Sequence, residues 1–370
     1  MAKNFTFTSE SVCSGHPDKI CDRISDSILD AILAKDPHGR VAIETMAAKN
    51  RVIIVGELTT YAKINIETIA RQTIQKLGYT KPLLHFTGRS PIDVYIHSQS
   101  PEIAQGVDLD GAGDQGMMFG YACTQTQELM PLAITLAHHF AKSIDTAREA
   151  SILNYLRPDG KTQVTVEYRN GEAYKITHVV LAVPHDEKVQ LKQVKDDLYT
   201  KIIVPVLASY GFSIKEKDIT VNGTGVWHLG GPASDAGLTG RKIVVDTYGG
   251  YARVGGGCFS GKDPTKVDRS GAYAARYIAK NIVAQGLATE AEVRLAYCIG
   301  VRKPLMQEVE TFGTEKVSRK AIRDFATTIL DTSVSGIIEA LDLRRPIYTQ
   351  TSSYGHFGRN EFPWESISTK

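Results

Sequence analysis

Residues 163–183, Q-V-T-V-E-Y-R-N-G-E-A-Y-K-I-T-H-V-V-L-A-V, alternate apolar and polar positions on both sides of Asn170-Gly171. A period of two puts one face of a strand inward and the other outward, and Asn-Gly supplies the positive-φ turn of a tight hairpin. Val189–Tyr210 follows with a helical pattern, and Pro205 must kink that helix or end its first half, since proline cannot donate to the helix ladder. The same order stands upstream. V-A-I-E-T-M (41–46), a turn around Lys49-Asn50-Arg51 and V-I-I-V-G-E-L-T-T (52–60) read as a strand pair. A helix with Ile66, Ile69, Ala70, Thr73, Ile74 and Leu77 on one face comes next. A third copy is expected downstream, with K-I-V-V-D-T-Y (242–248), Gly249-Gly250, Y-A-R-V (251–254) and a helix over 268–285 that faces Ala272, Ala275, Ile278, Ala279 and Ile282 inward. An extended segment closes each copy, at 92–98, 219–229 and 291–299. The pattern predicts an α+β fold of three similar subdomains, each a small mixed sheet covered by helices.

Length and composition agree. At about 150 residues per domain, 370 residues make two or three core-bearing units. Hydrophobic residues are 42% and charged residues 23%, values of a globular chain rather than a disordered or fibrous one. Lys+Arg is 43 against Asp+Glu 41, a net charge of only +2, so no nucleic-acid partner is expected and any anion site must be local. Five cysteines (Cys13, Cys21, Cys123, Cys258 and Cys298) form no C-x-x-C and read as reduced thiols. The N-terminus lacks the apolar stretch of a signal peptide, and no apolar run approaches the ~20 residues of a membrane span. The expectation is a cytoplasmic protein that uses no membrane.

Glycine concentrates in 105–120, 223–240 and 249–261, where backbone could approach a ligand. G-G-C-F-S-G-K-D (256–263) fits the phosphate-loop template except at its last place, where Asp263 replaces the hydroxyl that binds Mg²⁺. An ordinary Walker ATPase is therefore disfavoured, although Arg241, Lys242 and Lys266 flank the loop. G-A-G-D-Q-G (111–116) lacks the preceding strand and the following acidic residue of a dinucleotide fingerprint, and reads as a tight turn presenting Asp114. Ser14-Gly-His-Pro-Asp-Lys opens a helix, with Ser14 or His16 at the cap, Pro17 in the first turn and Ile20, Ile24, Ile28 and Ile32 as its buried stripe. Asp18, Asp22, Asp26 and Asp30 recur every four residues. A solvated acidic face is expected for Asp26 and Asp30, whereas His16 and Asp18 sit where a helix N-terminus attracts phosphate and Mg²⁺. His138-His139 is expected to hold one buried and one exposed imidazole, and 129–140 to be core. No H-E-x-x-H or G-x-S-x-G occurs, so zinc hydrolysis and acyl-enzyme chemistry lack support.

Six motifs stand together in order and spacing: G-H-P-D-K (15–19), G-A-G-D-Q-G (111–116), L-R-P-D-G-K (156–161), G-G-P-x-x-D-x-G-L-T-G-R-K (230–242), G-G-G-C-F-S-G-K-D (255–263) and K-V-D-R-S (266–270). With R-P-I-Y (345–348) and Y-G-H-F-G-R (354–359), the chain resembles the S-adenosylmethionine synthetases (methionine adenosyltransferases) over almost its whole length. The resemblance implies three α+β subdomains around a pseudo-threefold axis, divided here as 1–100, a mobile active-site loop and glycine motif at 101–116, then 117–231 and 232–370. It implies a homodimer or homotetramer with active sites between subunits. The implied reaction joins L-methionine to ATP by attack of sulfur on C5′, followed by hydrolysis of tripolyphosphate to diphosphate and phosphate. Two Mg²⁺ and one K⁺ are the implied cofactors.

Residue by residue, the resemblance places His16 near O5′, Asp18 and Asp268 as Mg²⁺ ligands and Glu44 as the K⁺ ligand. It places Lys161, Arg241, Lys242 and Lys262 on the phosphates with Asp159 beside them, and His16, Lys161, Arg241 and Lys262 as the catalytic set. Val226, Trp227 and Cys258 fall at ATP-contacting positions, Glu57, Gln99, Asp114 and Lys266 at methionine positions, and Asp235 at both. Residues 99–109 match the loop that gates the site. The chain departs from the family where Gly-Arg-Phe becomes Gly225-Val226-Trp227, where His becomes Val254, and where Ala becomes Cys258. Cys258 is a site-adjacent thiol open to oxidation or a small filler. Two rival readings are a phosphate-loop kinase or ATPase built on 256–262, and a non-catalytic nucleotide sensor.

Overall fold

The computed structural model describes residues 4–98 and 111–368. Its strands form three small sheets, and each sheet borrows a strand from elsewhere in the chain. The first sheet is built by β2 (Arg40–Ala48), β3 (Arg51–Thr59) and β4 (Ile92–His97), in the order β4-β3-β2-β9, where β9 is the two-residue strand Gly237–Leu238. The pairing is parallel between β3 and β4 and antiparallel elsewhere. The second sheet has the order β1-β6-β7-β8, from β1 (Phe5–Val12), β6 (Lys161–Arg169), β7 (Glu172–Ala182) and β8 (Ile219–Val221). Its hairpin β6–β7 turns at Asn170, with φ 53°, and Gly171, with φ 86°, as the Asn-Gly signal requires.

The third sheet departs from the sequence expectation. Residues 242–254 form no hairpin: Ile243–Asp246 is a short helix and 251–254 is loop. The sheet instead joins β5 (Gly116–Cys123), β10 (Glu290–Tyr297) and β11 (Met306–Glu310), all antiparallel. A short apolar run such as Ile243-Val244-Val245 does not distinguish strand from helix by periodicity, and its tertiary setting decides. Extended structure at 219–229 is likewise confined to β8.

Nine α-helical segments are described: α1 (Pro17–Leu33), α2 (Ile66–Lys76), α3 (Leu132–Glu149), α4 (Leu191–Leu198), α5 (Val204–Ser209), α6 (Ile243–Asp246), α7 (Val267–Ala284), α8 (Arg319–Thr328) and α9 (Val334–Ala340). Between α4 and α5 the chain widens into one π turn, where the Val204 N–H reaches the Tyr199 carbonyl, just ahead of Pro205. The isoleucine stripe of α1 is fully buried, as is the inward face of α7. Backbone contact locks α7 to its sheet: a Cβ at Gly120 of β5 would stand 1.9 Å from the Ala275 carbonyl carbon, so only glycine fits. His138 is buried with its Nδ1 2.8 Å from Ser11 Oγ, whereas His139 is half-buried rather than exposed.

Candidate active site

The first cluster grows from the start of α1. His16 is the N-cap and Pro17 the first helical residue, a pairing that stops the helix where its dipole is most positive. The Asp18 N–H donates to His16 Nδ1 at 3.2 Å, which leaves the ring proton on Nε2. Burial and then the Lys242 charge push the imidazole pKa down to about 3, so His16 is a neutral donor. Asp18 is fully buried. Its Oδ1 accepts from Leu238 N at 3.0 Å and lies 3.1 Å from Arg241 Nε, and its Oδ2 lies 2.5 Å from Lys242 Nζ. Burial works against this carboxylate, but Lys242 and the Leu238 N–H outweigh it and hold Asp18 below the ordinary range. Arg241 also donates to the Ala236 carbonyl at 2.6 Å, which fixes the fork across the glycine-rich turn.

Lys161 opens β6 beside this cluster; it is exposed, and its charge acts on both His16 and Asp159. Asp159 is buried and accepts from Gly160 N and Gly231 N, each at 2.7 Å. Burial pushes it up to about 6 in spite of those bonds. It thus anchors the G-G-P turn on which Asp235 is exposed. Trp227 is half-buried and ties its Nε1–H to the Leu229 carbonyl at 2.8 Å, while Val226 is exposed.

The second cluster joins Lys262 and Asp268 at 2.6 Å, Asp268 lying in the first turn of α7. Burial opposes the ammonium, but Asp268 wins and raises the Lys262 pKa. The charge of Asp114, itself exposed, also acts on Lys262. Gly257 packs against Asp268 so closely that a Cβ there would sit 2.0 Å from the carboxyl carbon. Gly257→Ala is therefore expected to displace Asp268 and to lower kcat/KM for ATP by about 100-fold with little change in the urea midpoint. Steady-state kinetics and urea titration of the variant check this. Cys258 packs on Gly240, and burial raises its thiol pKa even beside Lys262, which supports a filler rather than a nucleophile. Lys266 is paired with buried Asp263. Glu44 is exposed on β2, and Glu57 on β3 lies 3.5 Å from His97. Gln99 and the whole of the matching loop, 99–109, lie outside the described residues.

Asp263, the residue that sets 256–263 apart from the phosphate-loop template, is buried and accepts from Val41 N at 2.7 Å and from Thr265 N at 3.0 Å. The helix expected over 268–285 starts at Val267, five residues after Lys262. One expectation is overturned. The acidic stripe of α1 is no solvated face. Asp26 is fully buried in a two-bond pair with Arg269 at 2.8 and 3.0 Å, and half-buried Asp30 accepts from Tyr348 N at 2.9 Å and Thr349 N at 2.7 Å. Each aspartate spends its charge on a segment more than 200 residues away. Asp22, Asp26, Lys19 and Arg269 are neighbours of the site to which the sequence assigned no role, although Lys19 and Arg269 fall inside the G-H-P-D-K and K-V-D-R-S motifs and the two aspartates inside the four-residue period.

Among the described residues no three His, Cys, Asp or Glu side chains form a metal cage. Asp18 and Asp268 are single carboxylates set among cations. That donor set fits Mg²⁺, which keeps its waters and binds through one or two carboxylates plus substrate phosphates. The histidines add a pH dependence. His16 and His138 are both pushed down to about 3, chiefly by burial, from an ordinary 6.5. Between those values the unfolded chain binds protons that the folded chain refuses. Stability is thus expected to fall as pH drops from about 6.5 toward 3, and urea midpoints at pH 7, 5.5 and 4.5 measure it.

Models of the three S-adenosylmethionine synthetase domains match the chain in order: the N-terminal domain at residues 4–101, the central domain at 109–227 and the C-terminal domain at 229–366. The S-adenosylmethionine synthase of Clostridium tetani (strain Massachusetts / E88) is 50% identical, over 98% of this chain and 97% of that protein. No helix among the described residues is long and apolar enough to cross a membrane. Matched in order by all three domain models and half identical to a synthase over nearly its whole length, the chain belongs to the S-adenosylmethionine synthetase family and makes S-adenosylmethionine from L-methionine and ATP.

Proposed function

We propose that His16, Lys161, Arg241 and Lys262 carry the chemistry, with Lys242 and Asp159 beside the phosphates. The observation that carries this reading is the buried Asp18 carboxylate holding Arg241 and Lys242 next to a neutral His16. Methionine sulfur carries no proton, so attack on C5′ needs no general base. The demand is on the leaving triphosphate, whose charge grows as the C5′–O bond breaks. His16 donates its Nε2–H toward O5′, and the lysines and Arg241 meet the phosphate oxygens. Two Mg²⁺, one near Asp18 and one near Asp268, would add charge neutralisation at those oxygens when bound. The same fixed cations then serve hydrolysis of the triphosphate, a reaction governed by positioning and electrostatics. Trp227 offers a ring for adenine, flanked by Val226, with Cys258 filling space against the Gly240 turn. Glu57, Gln99, Asp114, Asp235 and Lys266 are the proposed methionine side, and Glu44 the K⁺ ligand.

The site is proposed to be completed by a second copy of the chain. Glu44 and Glu57 project from the first sheet on its open face, beside Met46, Val55, Tyr95 and Leu238, which are 42%, 37%, 65% and 41% exposed. An apolar sheet face of that kind is suited to burial against its twin. Five free cysteines suit a cytoplasmic enzyme.

Mixing tests the shared site. Lys161→Met and Asp268→Asn break the two clusters separately, and each parent is expected to be nearly inactive. Subunits exchanged between them should regain activity, because one site in each mixed dimer combines the two intact halves. Mixtures as inactive as the parents would mean that each chain closes its own site.

A further inference from the structure

We propose that Asp22 and Asp26 are positioning residues, rungs of α1 that set where the two cation-bearing loops present their charges. Asp18 accepts from Leu238 N, and Asp22, one rung further, accepts from Gly240 N at 2.8 Å. Four residues of helix advance about 6 Å and two residues of extended chain about 6.6 Å, so successive rungs match alternate N–H groups of this segment. The next residues are Arg241 and Lys242. Asp26 accepts from Gly261 N at 2.9 Å, and its partner Arg269 donates to the Lys262 carbonyl at 3.1 Å, so the third rung holds the other loop at its lysine. Lys19 stiffens the ladder from below. It is buried, 2.9 Å from Asp22 and hydrogen-bonded to Asp246, the last residue of α6. One helix thereby seats both cation-bearing loops of a chain, the one that leads into Arg241-Lys242 and the one that carries Lys262. Asp30 uses the same chemistry on Tyr348 and Thr349, which carry no phosphate cation, and so supplies an internal control.

This inference rests on the assignment of Arg241, Lys242 and Lys262 to the phosphates, and inorganic triphosphate is the probe that separates the two. Asp22→Asn removes the charge that draws Lys19 and loosens the Gly240 bond. It is expected to raise KM for triphosphate hydrolysis roughly tenfold and to leave KM for methionine unchanged. Asp30→Asn is expected to lower the urea midpoint while both KM values stay within about twofold. Should Asp22→Asn fail to fold, Asp22→Glu keeps the charge but moves the acceptor by one methylene, with the same expected shift. A fall in stability at position 22 with an unchanged triphosphate KM overturns the ladder as a positioning device. An unchanged triphosphate KM in Arg241→Ala would instead overturn the phosphate assignment beneath it.

Discussion

Lys161→Met is expected to lower kcat by about 100- to 1,000-fold while the chain folds normally. The magnitude is that of removing one preorganised charge from a developing anion. The position explains why folding survives. Lys161 is the exposed first residue of β6, and its backbone pairing with Val12 and Ala182 does not depend on the side chain. Methionine keeps the length of the stem and removes only the ammonium. The loss should fall on kcat for S-adenosylmethionine formation and on triphosphate hydrolysis alike, because both end on phosphate oxygens. Rapid-quench kinetics of the two steps, with a circular dichroism spectrum, measure it; near-normal turnover in a folded variant would remove Lys161 from the catalytic set.

The largest structural effect is expected at Arg269. Its guanidinium is fully buried, doubly bonded to Asp26, bonded to the Thr351 hydroxyl at 3.0 Å and stacked over the Tyr348 ring with its carbon 4.1 Å from the centroid. Burial lowers the affinity of a guanidinium for its proton, yet Asp26 more than reverses this, and Arg269 stays charged. Arg269→Leu leaves a buried carboxylate without its partner and is expected to destabilise by about 3–5 kcal/mol. Asp26→Asn with Arg269→Leu should be milder than Arg269→Leu alone, because the uncompensated charge is gone. Urea midpoints of the three proteins decide it. A single variant that loses less than about 1 kcal/mol would show that water reaches Asp26.

What was legible in the sequence was local. The start of α1 at Pro17, the Ile20-Ile24-Ile28-Ile32 stripe and the Asn170-Gly171 hairpin each depend on neighbours within a few residues and stand as read, and of the two cap candidates, Ser14 and His16, the helix uses His16. The third hairpin did not, because Ile243-Val244-Val245 carries strand propensity without a partner strand. One of the two partners of β10 is β5, more than 150 residues before it, and no local signal connects them. The acidic stripe failed for a related reason. On a helix, one carboxylate per turn looks like a solvent face unless the donors are known, and here the donors are backbone N–H groups at 238, 240, 261 and 348–349. Backbone donors leave no mark in sequence. The proposed phosphate cations were legible as motifs, but the buried aspartates bonded to their loops were visible only as a period of four.

The most direct measurement follows the products. Purified enzyme is incubated with ATP, Mg²⁺ and K⁺, with and without L-methionine, and S-adenosylmethionine, diphosphate and phosphate are separated by chromatography. All three are expected in equal amounts, and only when methionine is present. Phosphate released at the same rate without methionine would contradict this, since the cations would then be serving hydrolysis of ATP itself.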